Sequence, residues 1–219
     1  TSLRFIGYGN KTISLGQLES NDFIITVRNL DRKYKKINFI ENYFDEQRFS
    51  SRNRDIGKNV IKRDYNGALK LMKLNEYGLN SLKKQDKSML KFYINSYQSY
   101  LWNLVVAEIL KNDKNSFEVS YSLGKFIFLN RKITNFKVPL LNFDSVFDKN
   151  IEKTYNKIME REGISKSSFL LREIPELINE SSERDVIVDI KIKSKFEEDE
   201  LNKGKFKQII EFNLSKGSY

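Results

Sequence analysis

The chain has 219 residues, of which 39% are hydrophobic and 13% aromatic, enough to form a core in one large domain or two small ones. It contains no His and no Cys, which excludes a Ser-His-Asp triad, a thiolate nucleophile, a zinc site of the usual ligands and a disulfide framework. The formal net charge of +10 is concentrated in residues 51–100, where 11 Lys and Arg face 4 Asp and Glu, and this indicates a polyanion as partner.

The first part of the chain is predicted to contain short strands followed by a helical segment. Residues 3–6 and 12–15 have the pattern of two short strands around a turn. Residues 21–29 form the clearest strand, because they are rich in β-branched and aromatic side chains. Residues 37–40 predict a further strand. Between residues 56 and 72 apolar side chains recur at helical spacing, with an interruption near the middle.

The middle of the chain is predicted to hold the longest helix, over residues 87–112, where apolar side chains recur at intervals of three and four. This regularity favours a buried structural helix. Residues 117–143 are typical of strands separated by polar turns. Residues 148–162 predict an amphipathic helix, and Gly163 is suited to the left-handed position that ends many helices.

The last part of the chain returns to strands after a short helix that is predicted over residues 165–171 and ends before Pro175. Residues 186–192 and 207–214 alternate apolar and polar side chains with period two, and the charged loop over 193–205 makes them an expected antiparallel hairpin. Strands at both ends of the chain with helical material between them predict an α+β fold, in which a largely helical insertion interrupts the sheet.

One short stretch before the first helical segment has an unusual composition: Asn42-Tyr43-Phe44-Asp45-Glu46-Gln47-Arg48-Phe49. It places three aromatic rings, an arginine and two carboxylates close together in the sequence. Exposed rings favour association with a partner, whereas rings at the end of a strand can equally be buried in the core. Composition leaves both interpretations open.

This stretch resembles the N-Y-F-x-x-Q-R-F signature of the TruD family of tRNA pseudouridine synthases. Further segments resemble motifs of that family, in its archaeal form, and occur in the family's order: Gly16 to Phe23 with Val27-Arg28, Ile56-Gly57-Lys58 with Asp64-Tyr65, Tyr97 to Asn103, and Leu214 to Tyr219. The matches span most of the chain, and the first is specific.

The resemblance implies an α+β fold with the mixed or antiparallel sheet of a pseudouridine synthase, interrupted by a largely helical TRUD insertion domain. The catalytic-type domain would comprise residues 1–73 and 174–219, incomplete at both ends, and the insertion domain residues 74–173. The implied reaction converts a uridine of tRNA to pseudouridine, at the D-arm position that is conventionally numbered thirteen. The resemblance implies no cofactor and no metal, and a cytoplasmic enzyme.

The resemblance also implies which residues contact the substrate. Phe44 matches the phenylalanine that stacks on the extruded uridine, Asn42 matches its polar partner, and Tyr219 matches an aromatic residue that lies against the substrate. Extruding a base costs a few kcal/mol, and a stacking ring contributes about 1–3 kcal/mol in return.

Several basic residues are candidate contacts with the RNA backbone: Arg48, Arg52, Arg54, Lys58, Lys62 and Arg63. A solvated basic face is the alternative for such a run. Arg48 could equally pair with Asp45 or Glu46 and fix the loop, and this structural role is the favoured interpretation.

The family's catalytic aspartate lies in a G-x-K-D-x-x-A motif upstream of the strand over residues 21–29, and no such motif occurs in residues 1–15. No catalytic residue is therefore assigned within the chain. The nucleophile is expected upstream of Thr1, in a longer protein of which these residues form an internal piece. The chain alone is expected to be inactive.

Two other classes of function remain open from the sequence. The first is a non-catalytic RNA-binding module that has the same fold without the aspartate. The second is a metal nuclease with oxygen ligands, which would use Asp144, Asp148 or the acidic run 197–200, although that run is more typical of a solvated loop. The basic surplus itself could reflect an AT-rich genome. No apolar run approaches the roughly 20 residues that span a bilayer, so no membrane partner is expected.

Overall fold

The structure, a computed structural model, describes residues 5, 7–9, 12, 17, 19–50 and 52–218. Its internal contacts divide the chain into two compact units, one made of residues 1–38 and 190–219 and the other of residues 39–189. The predicted strands over 3–6 and 12–15 fall on residues that are mostly outside this description, and Tyr219 is outside it as well.

In chain order the strands are β1 (Ser20–Leu30), β2 (Phe39–Glu41), β3 (Ser116–Tyr121), β4 (Gly124–Leu129), β5 (Lys137–Pro139), β6 (Glu183–Asp185), β7 (Ile187–Asp189), β8 (Lys193–Glu198) and β9 (Phe206–Ser215). The α-helices are α1 (Glu46–Phe49), α2 (Asn53–Ile61), α3 (Tyr65–Leu71), α4 (Gly78–Lys83), α5 (Lys87–Leu110) and α6 (Lys149–Glu162). Every strand pair among the described residues is antiparallel, and this confirms the predicted α+β class. No helix in the described ranges is both long enough and apolar enough to cross a bilayer.

The unit made of residues 1–38 and 190–219 contains a three-stranded sheet in the order β1-β9-β8. The strand predicted over 21–29 is confirmed as β1, which runs along β9 with Ser20 opposite Ser215. Phe23 and Phe212 lie opposite each other in this pair, and their rings stack at a centroid distance of 5.3 Å. Such cross-strand aromatic pairs stabilise the sheet.

The predicted hairpin is wrong in its first strand. The hairpin partner of β9 is β8, which was expected to be part of the charged loop, and the actual loop covers only residues 199–205. Within the predicted strand over 186–192, β7 pairs with β2 instead. The charged segment can form β8 because alternate side chains face solvent, while Phe196 stacks on Phe206 across the pair at 4.7 Å.

The unit made of residues 39–189 is built around α5, which confirms the helix predicted over 87–112. The helix begins at Lys87 because the side chain of Asp86 accepts a hydrogen bond from the Met89 backbone N–H at 2.8 Å. Tyr97, Leu101 and Trp102 of α5 are fully buried in the core of this unit. A rigid central helix of this kind can hold residues from distant parts of the sequence in fixed positions.

Helix α2 packs closely on α5, and Gly57 makes this approach possible. A Cβ atom at Gly57 would lie only 2.0 Å from the backbone oxygen of Tyr93. The interrupted helical pattern over 56–72 is confirmed as α2 and α3, and the Asp64 side chain caps α3 by accepting from Gly67 N at 2.9 Å.

Two further helix predictions have different outcomes. Helix α6 ends at Gly163 in the left-handed conformation with φ of 65°, as the sequence predicts. The short helix expected over 165–171 is a 3-10 turn over Lys166–Phe169, and Pro175 begins a second 3-10 turn. Proline suits the first helical position because its fixed φ is already helical and no hydrogen bond is lost there.

The predicted domain boundaries at residues 73/74 and 173/174 both fall inside the unit made of residues 39–189. The two compact units follow contacts within this chain, whereas the predicted domains follow a sequence resemblance. The domain division therefore stays a prediction.

Candidate functional site

Phe44 lies between β2 and α1, and its ring is only partly buried. The ring packs against the core through an edge-on contact with Trp102, at a centroid distance of 5.6 Å. Phe49, at the end of the same aromatic stretch, is 1% exposed and belongs to the core. The stretch therefore contains both a core ring, Phe49, and two partly exposed rings, Tyr43 and Phe44.

The backbone of Phe44 is held by the side chain of Asn103 on α5. The Oδ1 atom of Asn103 accepts a hydrogen bond from Phe44 N at 3.0 Å, and Nδ2 donates to Phe44 O at 2.8 Å. Asn103 is 2% exposed and sits on a largely apolar helix. Because a buried amide is stable only when its polar atoms are paired, this double contact fixes the Phe44 backbone on α5.

Two guanidinium groups lie near the Phe44 ring. The Cζ atom of Arg184, on β6, is 4.0 Å from the ring centroid, and that of Arg48, on α1, is 5.2 Å away. Burial lowers the pKa of Arg48, and burial together with the positive charge of Arg48 lowers the pKa of Arg184 to about 10. Both guanidinium groups stay charged at pH 7, but burial makes that charge less favourable than in water, and a nearby anion would offset this cost.

Asn42 orients Arg184 beside the ring. Nε of Arg184 donates to Asn42 O at 2.8 Å and its Nη2 donates to Asn42 Oδ1 at 2.7 Å, while Asn42 Nδ2 donates to Asp185 O at 3.0 Å. Asn42 is 5% exposed. The structure thus brings two predicted site residues, Asn42 and Phe44, to one cluster. The direct contact of Asn42 with substrate stays a prediction, and Tyr219 lies outside the described residues.

Arg48 is held by a neutral partner. Its Nε donates to Ser99 Oγ on α5 at 3.0 Å. In the described part of the chain no carboxylate oxygen lies within 4.0 Å of its guanidinium, so the expected pairing with Asp45 or Glu46 is not observed there. Glu46 instead accepts a hydrogen bond from the backbone N–H of Ser122 at 2.6 Å.

Three residues of the α5 segment 97–103 contact the cluster: Ser99 holds Arg48, Asn103 holds the Phe44 backbone, and Trp102 packs on the Phe44 ring. The same segment is tied to residues 138–141, because Gln98 donates to Leu141 O at 2.9 Å and the indole N–H of Trp102 donates to Val138 O at 2.9 Å. Sequence reasoning did not assign Asn103 or Arg184 to the site. A buried amide on an apolar helix is a signal for Asn103, whereas Arg184 has no distinctive local pattern.

Arg63, a predicted contact with the RNA backbone, makes a dense set of contacts within the protein. Its guanidinium donates to Ile61 O at 2.8 Å, to Leu170 O at 2.9 Å and to Ser168 O. Glu173 lies 3.6 Å from its Nε. Arg63 therefore ties the end of α2 to the 3-10 turn that follows α6.

The other basic residues predicted from α2 and its flanks also have partners within the protein. These partners are Leu71 O for Arg52, Asp55 for Arg54, the carboxylate of Glu162 for Lys58, and the backbone oxygen of Glu162 for Lys62. Such contacts stabilise the packing around α2. Contact of these residues with RNA stays a prediction.

Several of the carboxylates considered for a metal site make structural contacts. Asp199 begins the loop 199–205, but it is only 5% exposed and accepts from Arg28 Nη1 at 2.7 Å and from Asn29 N at 2.9 Å, so its carboxylate is not solvated. Burial alone would raise the pKa of Asp199, but these hydrogen bonds outweigh it and leave the pKa well below its usual range. Asp148 caps α6. Within the described ranges, no group of three or more acidic residues could hold a metal ion.

The fold and this cluster define an antiparallel α+β protein in which a partly exposed aromatic ring lies beside two guanidinium groups. A solved crystal structure of tRNA pseudouridine synthase D (TruD) from Methanosarcina mazei has the same fold, with a TM-score of 0.68 at 20% identity over 98% of this chain and 70% of that one.

Comparison of sequences points to the same group of proteins. Residues 1–79 match the family model for tRNA pseudouridine synthase D (TruD). A relative named tRNA pseudouridine synthase D 2 from Methanocaldococcus jannaschii is 28% identical over 96% of this chain and 67% of its own length. Another, named tRNA pseudouridine synthase D 1, from Methanococcus maripaludis, is 26% identical over 99% of this chain and 74% of its own length. The chain is thus similar to proteins named tRNA pseudouridine synthase D over nearly its whole length, and its first 79 residues match the model of that family.

Proposed function

We propose that this chain binds tRNA and forms the base-stacking part of a site that converts a uridine to pseudouridine. The observation that carries the proposal is the Phe44 ring, partly exposed, fixed by Asn103 and flanked by Arg48 and Arg184. Phe44 also lies within residues 1–79, the part that matches the family model. A flat apolar ring beside two cations suits a nucleotide, which combines a stacking base with an anionic phosphate.

The reaction is an isomerisation. The bond between N1 of the base and C1′ of the ribose breaks, the base turns, a bond forms between C5 and C1′, C5 loses its proton and N1 gains one. No oxidant or reductant is needed. In this scheme Phe44 stacks on the extruded base and Arg48 and Arg184 lie near a phosphate, while Asn42 keeps Arg184 in place.

The printed sequence lacks a G-x-K-D-x-x-A motif, and no aspartate of the chain is assigned as the nucleophile. We therefore expect the 219 residues to bind tRNA without turnover, and the product of the complete reading frame to carry out the reaction. The proposed target is the D-arm uridine at position thirteen.

The experiment compares two proteins on one unmodified tRNA transcript. The 219-residue chain and the product of the complete reading frame are each incubated with the transcript, and pseudouridine is mapped by carbodiimide modification and primer extension. Pseudouridine at the D-arm, formed by the complete product, supports the proposal. Binding without pseudouridine in both proteins would favour an RNA-binding module instead, and magnesium-dependent strand cleavage would favour a nuclease.

A further inference from the structure

A groove of about 360 Å³ lies between α5, α6 and the β3–β4 hairpin, within the unit made of residues 39–189. Its floor is apolar and includes Leu104, Ile127 and Ile158. Ile127 and Ile158 are also buried members of the core, so the floor is a fixed part of the fold.

Cations dominate the rim of this groove: Lys111, Lys125, Lys157 and Arg161, against Glu108 and Glu118. Lys125 forms an ion pair with Glu118. In the part of the chain that the structure describes, no carboxylate oxygen lies within 4.0 Å of the charged nitrogens of Lys111, Lys157 or Arg161. The groove therefore presents an excess of positive charge above an apolar floor.

The charges on α6 repeat at a spacing that weakens an isolated helix. Lys149, Lys153, Lys157 and Arg161 follow one another at intervals of four residues and are all exposed. Neighbouring like charges at this spacing destabilise a helix, and Glu152 and Glu160, three residues after Lys149 and Lys157, offset only part of this repulsion. Arg161 lies in the last turn, where the helix dipole favours a cation, but the two middle lysines do not benefit in this way. An anionic partner along this face would offset the repulsion.

The spacing of these charges fits a repeating anion. Lys157 and Arg161, the two members of this series that line the groove, are separated by about 6 Å along the helix axis. The sugar–phosphate backbone of RNA presents phosphates at intervals along a strand, with apolar sugar carbons between them that can lie on the floor of the groove.

The groove and the ring of Tyr43 lie on opposite faces of the β3–β4 hairpin. Along β4, Lys125 and Ile127 line the groove, whereas Phe126 and Phe128 contact the ring of Tyr43, the neighbour of Phe44. Side chains alternate between the two faces of a strand, which explains this division. A ligand that reaches both faces must be large.

We propose that this groove binds the sugar–phosphate backbone of tRNA at a second contact, separate from the Phe44 cluster. The proposal rests on the proposed function, because it takes tRNA as the ligand of the chain. We expect a full-length tRNA to reach both contacts and a short D-arm stem-loop to reach the Phe44 cluster alone.

The test measures binding of a fluorescent full-length tRNA transcript and of a fluorescent D-arm stem-loop to the 219-residue chain over a series of KCl concentrations. The groove variant is K157E/R161E. The matched control is K83E/K84E, which changes the net charge equally on two exposed lysines at the end of α4. A K157Q/R161Q variant, with a smaller change in charge, guards against misfolding, and circular dichroism reports folding for all of them.

The groove variant is expected to bind full-length tRNA about tenfold more weakly or worse, with a salt slope lower by about 2, since each lost phosphate contact lowers the slope by about 1. K157Q/R161Q is expected to show a smaller loss in the same direction. The control should stay within about twofold of the parent chain, and binding of the stem-loop should change equally little in all variants.

Equal weakening by the groove variant and the control would overturn the proposal, because the effect would then come from net charge. Equal weakening for tRNA and stem-loop would also overturn it, because the contact would not be separate from the Phe44 cluster. If the parent chain binds tRNA and the groove variant binds it equally well, the proposal for the groove is wrong and the proposed function is unaffected. If the parent chain binds no tRNA, the proposed function is wrong as well.

Discussion

Two arginines that lie close together in the sequence, Arg63 and Arg48, differ in what surrounds them. Arg63, at the end of α2, donates to several backbone carbonyl oxygens and has Glu173 nearby. Arg48, fifteen positions earlier, lies beside the Phe44 ring, donates to a serine hydroxyl and has no carboxylate within 4.0 Å in the described ranges. The first environment satisfies a guanidinium, and the second leaves charge available for a ligand.

The difference shows that a basic run in a sequence does not by itself mark a nucleic-acid surface. An arginine whose donors are paired with buried carbonyl oxygens stabilises the fold, and removing it leaves those oxygens unsatisfied. An arginine that is partly desolvated beside an aromatic ring, with only a neutral partner, is suited to an anion. The two classes can be separated by experiment, because one affects stability and the other affects binding and its salt dependence.

The largest expected effect is on the stability of the fold, at Gly57. Replacing it in Gly57→Ala places a Cβ 2.0 Å from the backbone oxygen of Tyr93 and forces α2 away from α5. We expect the free energy of unfolding to fall by about 3 kcal/mol, as for overpacked cores. Urea unfolding measures this change.

Gly67→Ala is the matched control for this prediction. There the added Cβ would meet the carboxylate of Asp64 at 2.2 Å, which is the end of a side chain that can move. The loss should be about 1 kcal/mol, the value of the cap that Asp64 provides to α3. Equal losses at both glycines would contradict the close helix contact at Gly57.

The next largest effect is expected on the affinity for tRNA, at Phe44. Replacing the ring in Phe44→Ala should weaken tRNA binding by about 2 kcal/mol, within the range of about 1–3 kcal/mol per stacked base, or roughly 30-fold. The salt slope should not change, because no charge is removed. Fluorescence anisotropy over a KCl series measures both quantities. Phe44→Trp, which keeps a stacking face, should bind within a few-fold of the parent chain, and an equal loss in both variants would argue against stacking.

Arg63→Met tests whether Arg63 stabilises the fold without contributing to RNA binding. It removes the donors that serve Ile61 O, Ser168 O and Leu170 O, and should lower the free energy of unfolding by about 1–2 kcal/mol. The salt slope of tRNA binding should stay the same. Arg48→Met is the partner experiment, with little loss of stability and a slope lower by about 1. If Arg48→Met instead lost stability and Arg63→Met lowered the salt slope, Arg48 would be the structural arginine and Arg63 the contact with RNA.

Much of the scaffold could be predicted from the sequence because it depends on local patterns. The helix α5 follows from apolar spacing, and the end of α6 follows from Gly163, which adopts the left-handed conformation. The hairpin failed where charge was taken as a sign of a loop, since β8 is a charged strand that still alternates its side chains.

The site could be predicted only in part. The stretch around Phe44 drew attention through its composition and its resemblance to a family motif. The two residues that shape its surroundings come from distant positions, Asn103 on α5 and Arg184 on β6, and their roles exist only once the chain is folded. Arg184 is an ordinary arginine between acidic neighbours in the sequence, so no local pattern distinguishes it.

The smallest expected effect concerns the ion pair between Lys58 and Glu162, at 2.8 Å. Burial raises the pKa of Glu162, but the hydrogen bond and charge of Lys58, with the hydroxyl of Tyr97, more than offset this and hold it below its ordinary value of 4.5. A carboxyl whose pKa is lowered by folding contributes stability above its unfolded pKa and loses it as the pH falls through the folded pKa.

Lys58→Met should therefore be less stable than the parent chain at pH 7, by less than about 1 kcal/mol because the pair is partly solvated, and the difference should shrink between about pH 5 and pH 3. Urea unfolding at several pH values measures it. Lys62→Met is the matched control, because Lys62 donates to the backbone oxygen of Glu162, which does not titrate. The result would contradict this role if the difference in the free energy of unfolding between Lys58→Met and the parent chain stayed constant with pH and the salt slope of tRNA binding fell. Lys58 would then be a contact with the RNA.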